Sequence, residues 1–75
     1  MVSVAVWMWP LGDGEQRLVG AWRCRVIPRV GEFVLIHGRR LKIERVTHEF
    51  DRDDQTVTAE IAYDRLILAK LLEEE

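Results

Sequence analysis

The sequence predicts a mainly β fold: five strands curled into a small barrel, followed by a short C-terminal helix. Three observations carry this. Apolar and polar residues alternate over 17–27 and 55–63, and valine recurs at every second position from Val2 to Val6 in a first strand whose two faces are both apolar toward its end, the period of strands. A block from Pro28 to His48 reads as turn, strand, hairpin turn and strand. After Asp64 the leucines recur at helical rather than strand spacing.

The first strand places Val2, Val4, Val6 and Met8 on one face, with Ser3, Ala5, Trp7 and Trp9 on the other. Met1 to Trp9 is too short for a membrane span, and no basic residue precedes it as in a signal peptide. Pro10 to Gln16 is a loop, with turn chemistry in Gly12-Asp13-Gly14. In the second strand Leu18, Gly20, Trp22, Cys24 and Val26 are expected inward. Val19, Ala21, Arg23, Arg25 and Ile27 are expected outward, because two buried arginines would be costly. Gly20 within the run points to a bend or a close approach.

Pro28 and Gly31 suit a turn. Glu32 to His37 is almost unbroken apolar sequence, which suits a strand covered on both faces. Gly38-Arg39 fits a two-residue type II′ turn, with glycine first. Leu41 and Ile43 then share one face, and Arg40, Lys42 and Glu44 the other. The apolar pattern resumes at even positions Val46, His48 and Phe50, so a bulge is expected near Glu44-Arg45. Asp51-Arg52-Asp53-Asp54 is expected to be a charged turn. Gln55 to Tyr63 forms the fifth strand, with Val57, Ala59, Ile61 and Tyr63 inward. Asp64 caps a helix from Arg65 to about Leu72, whose apolar stripe is Leu68, Leu71 and Leu72 beside Leu66 and Ile67. The three closing glutamates oppose the helix dipole, so that end should fray.

The pattern Pro28-x-x-Gly31-Glu32-x-Val34, Gly38, Leu41-x-Ile43 and Val46-x-His48 resembles small uncharacterised bacterial and phage proteins. The resemblance covers about a third of the chain and implies an SH3-like small barrel. It brings no catalytic or binding residue with it. A phage or mobile-element accessory role, as a virion component or an inhibitor of a host protein, is what it implies about biology.

At 75 residues the chain is expected to be one domain, near the size at which a single core holds a fold unaided. Its 48% hydrophobic content argues against wholesale disorder, and a formal charge of -2 gives no overall pull toward nucleic acid or anionic membrane. One cysteine excludes an intrachain disulfide and fits a reducing cytoplasm.

Cys24, His37 and His48 match no zinc spacing, so a packed thiol and ordinary strand histidines are expected, with no metal and no cofactor. Asp51, Asp53 and Asp54 start like a calcium loop but lack its glycine and closing glutamate. No phosphate loop or serine elbow occurs, and a non-enzymatic protein is expected.

Two binding surfaces are suggested. Trp7, Met8 and Trp9, with Leu68, Leu71 and Leu72 of the helix, exceed what so small a barrel can cover. They are expected to meet a protein partner, the chain's own second copy, in a homodimer. Arg23, Arg25, Arg29, Arg39 and Arg40, with Trp22 or Trp7 nearby, offer the alternative of a nucleic-acid surface. A small ligand bound at a subunit junction is the third expectation.

Overall fold

The computed structural model describes residues 1–50 and 56–73. The chain forms a curled half-barrel sheet of five strands and one short helix, the architecture expected of a small SH3-like barrel with a C-terminal helix. The strands are β1 (Val2–Met8), β2 (Arg17–Cys24), β3 (Phe33–Ile36), β4 (Arg39–Glu49) and β5 (Thr56–Ile61); the helix α1 spans Arg65–Glu73. The expected turn over Asp51–Asp54, with Gln55 and the last two glutamates, lies outside the described residues.

The sheet order is β2-β1-β5-β4-β3. Strands alternate in direction along the chain, so the first and fifth, which meet when the meander wraps round, pair in parallel. The other three pairings are antiparallel. The sheet stops one pairing short of closure, leaving β2 and β3 as its two edges.

The faces of β1 and β5 follow the alternation. Val4, Val6 and Met8 are buried from β1, and Val57, Ala59 and Ile61 from β5. Leu41 and Ile43 of β4, Ile36 of β3 and Ile67 of α1 complete the core. The expected bulge is present: Ile43 pairs with Ile61 but Arg45 pairs with Glu60, so Glu44 is the extra residue. That extra residue turns Val46 and His48 to the face shared by Ala59 and Val57.

Three expectations are corrected. The β3–β4 turn is His37-Gly38, since Ile36 pairs with Arg39. Both turn residues have positive φ (51° and 75°), which makes it type I′ and not type II′ at Gly38-Arg39. Secondly, β3 is covered on one face only. Ile36 is buried, whereas Phe33 and Leu35 project from the other face, 51% and 76% exposed. Thirdly, β2 does not keep one parity. Val6 pairs with Gly20 and Trp7 with Leu18, so Val19 is an extra residue in β2. Val19 therefore packs against the core, and Leu18, opposite Trp7, turns outward. Trp22 and Cys24, opposite Val4 and Val2, keep the expected face, Cys24 packed against the core and Trp22 exposed. Beyond the strand Ile27 packs against the core and Val26 is exposed.

The helix docks on its own barrel. Asp64 Oδ1 accepts from the backbone N–H groups of Leu66 and Ile67, both at 3.0 Å, as an N-cap should. The Asp64 N–H itself points at the sulfur of Met8, 3.3 Å away. Ile67 is fully buried, and Leu68 and Leu71 are half-buried beside it. Among the described residues no helix is long and apolar enough to cross a membrane.

Candidate protein-interaction surface

The tryptophans of the N-terminal strand occupy the convex face near the helix end of the barrel. Trp7 is half-buried and lies beside Glu60 in the parallel β1–β5 ladder, which is flanked by Arg45 of β4. The Arg45 guanidinium bridges this group: its Nε is 3.6 Å from Glu60 Oε2, and its carbon lies 5.2 Å from the centre of the Trp9 ring. That Glu60 oxygen is buried with no hydrogen-bond partner among the described residues, and the arginine neutralises it without a close bond.

Met8 does not share this surface. It is a core residue, because it falls on the inward parity of β1. Leu68 and Leu71 likewise spend most of their apolar surface on the barrel, leaving Trp9 and Leu72 as the exposed members of the set proposed from sequence.

A second apolar feature is the open seam. Trp22 and Cys24 of β2 face Val34, Leu35 and Ile36 of β3 across a groove of about 190 Å³, with Val4 and Val6 in its lining. Trp22 is opposite Val4 and so faces the concave side, but no strand covers it there. Its ring lies against Gly20, where a Cβ would come within 2.7 Å of the indole. The close approach expected at Gly20 is therefore made by the ring two residues on.

The β3 edge is short, four residues, which is one way natural edges are blunted; of the other common devices, charged residues, proline and bulges, Phe33-Val34-Leu35-Ile36 carries none. On its outer face the Arg40 guanidinium lies 4.1 Å from the centre of the Phe33 ring and leaves Leu35 uncovered. The sequence reading missed Phe33 and Leu35 because an uncharged strand suggests burial on both sides. The same absence of charge marks an edge that another chain can cover.

The five arginines of the alternative surface are differently occupied. Arg39 pairs with Asp64 at 2.9 Å, and Arg40 covers Phe33. Arg23 is opposite Ser3 on the convex side of β2. Arg25 and Arg29 border a groove of about 600 Å³ at the opposite end of the barrel from the helix, with Val2, Ile27, Val46 and His48.

Cys24 is half-buried, His37 sits in the hairpin turn, and His48 is exposed and stacks on Phe50. Among the described residues no three histidine, cysteine or acidic side chains form a group suited to a metal ion. No family model matches the chain, and no curated protein or solved structure matches it significantly.

Proposed function

We propose that this protein is a non-enzymatic protein-interaction module that associates with copies of itself. The observation that carries the reading is the unclosed sheet, whose uncharged edge strand β3 holds Phe33 and Leu35 in solvent. A strand edge offers unpaired backbone groups, and strand addition is a common way for one chain to bind another. Trp9 and Leu72 add exposed apolar surface at the helix end.

The magnitudes suit a weak association. Four side chains, two from each copy and each half to three-quarters exposed, contribute roughly 4–8 kcal/mol when buried. Backbone hydrogen bonds add about 0.5–1.5 kcal/mol each. Loss of translational and rotational freedom offsets several kcal/mol of this. The balance favours assembly at high micromolar rather than nanomolar concentration.

Several polar side chains among the described residues serve the fold, in keeping with a binding module: Asp64 caps α1, Arg39 holds Asp64, and Arg45 neutralises Glu60. A phage or mobile-element accessory role rests on the sequence resemblance alone.

Sedimentation equilibrium over a concentration series tests the reading. The mass should rise above the monomer's 8.8 kDa at high micromolar protein. A constant monomer mass across the series would overturn it.

A further inference from the structure

We propose that the chain forms a two-fold dimer in which β3 pairs antiparallel with β3 of a second copy, with Val34 on the axis. This rests on the self-association reading and names the geometry it takes.

The backbone fixes which residues can pair. Ile36 and Arg39 close the two-residue hairpin loop, so Ile36 directs its N–H and C=O toward β4. Two residues earlier Val34 does the same opposite Leu41, and at the start of the strand the Glu32 carbonyl accepts from Ile43 N–H at 2.9 Å. The residues between them, Phe33 and Leu35, direct their backbone groups away from β4, into the open seam.

Two outward residues separated by one make a self-complementary edge. About a two-fold axis through Val34, Phe33 faces the partner's Leu35, and Leu35 faces the partner's Phe33. Each of these pairs exchanges both backbone bonds, so the outward groups of the four-residue strand are all used. The exposed Phe33 and Leu35 side chains of the two copies then lie side by side on the convex face.

Symmetry favours the antiparallel arrangement, because a two-fold axis perpendicular to the sheet reverses the strand direction of the copy. The cations beside the strand are engaged within the chain, Arg39 with Asp64 and Arg40 over Phe33, and do not oppose it. Within the paired segment β3 has no charge to oppose its own copy.

Cross-linking tests the register. The two Val34 residues form a non-hydrogen-bonded pair, whose Cα separation of about 4.5 Å lies within the range a disulfide spans. In a Cys24→Ala background, Val34→Cys should yield a covalent dimer on mild oxidation, in proportion to the associated fraction. Adding Leu35→Lys should lower that yield at least ten-fold; Leu35 is 76% exposed, so the monomer keeps its fold. Leu72→Cys in the same background reports on the helix end.

If sedimentation shows a dimer while Leu72→Cys cross-links and Val34→Cys does not, the β3 pairing is wrong and self-association stands. If the mass stays monomeric and neither variant cross-links, both readings fall.

Discussion

Arg39 and Asp64, 25 residues apart in sequence, form a charged hydrogen bond at 2.9 Å that ties the β3–β4 hairpin to the first turn of the helix. The other Asp64 oxygen caps that turn. One carboxylate thus joins the start of β4 to α1. Asp64→Ala should cost about 1–2 kcal/mol, chiefly the cap. Arg39→Ala should cost under ~1 kcal/mol, because its side chain is 47% exposed. Urea unfolding of the two variants measures both.

Acid should act through the same group. The hydrogen bond from Arg39 holds the Asp64 carboxyl below its ordinary value, against the opposing effect of burial, with the Ile67 and Leu66 N–H groups assisting. A carboxylate with a lowered pKa in the folded state stabilises fully above its unfolded pKa of about 3.9. That contribution is lost as pH falls through the lowered folded value. Asp64→Asn removes it, so wild type and variant should converge in stability below that range and differ most near neutrality. Urea midpoints at several pH values read the difference.

Ile67 holds α1 to the barrel. Ile67→Ala leaves a cavity in a fully buried position and should cost about 2–5 kcal/mol, a large part of the stability of so small a domain. Leu66→Ala, at a 51% exposed site on the same helix, should cost well under half as much. Chemical denaturation with a helix-sensitive circular dichroism signal distinguishes the two.

The strands, the bulge in β4, the Asp64 cap and the helix were all legible, because each leaves a periodicity or a residue-specific signal. The edges were not. A hairpin loop at Gly38-Arg39 pairs Ile36 with Leu41, and one at His37-Gly38 pairs Ile36 with Arg39; both keep even β3 residues with odd β4 residues, so burial alternation fits either. The extra residue Val19 in β2 hides within an apparently regular even-numbered run from Leu18 to Cys24. The one-sided burial of β3 leaves no mark in its sequence, because apolar content reports what a strand avoids in water, not which neighbours the fold supplies. The interaction surface was partly legible: Trp9 and Leu72 are exposed, Met8 is core, and Phe33 and Leu35 emerge only once β3 is known to be an edge.

The turn gives a sharp test of the corrected register. His37 holds a left-handed conformation that a non-glycine residue adopts at a cost. Asparagine tolerates it better, so His37→Asn should raise stability by a few tenths of a kcal/mol to about 1. Gly38→Ala should lower it by about 1–2 kcal/mol, through strain rather than a clash, since the space around that position is open. Thermal melts of the two variants should shift in opposite directions.

Amide hydrogen exchange at Phe33 and Leu35, followed by NMR across a dilution series, tests the β3 edge most directly. In the monomer these two N–H groups face the open seam, whereas those of Val34 and Ile36 bond within the hairpin. Phe33 and Leu35 should therefore exchange fast when dilute and become protected as concentration rises, while Val34 and Ile36 stay protected throughout. Fast exchange at Phe33 and Leu35 in a sample already at dimer mass would contradict the account.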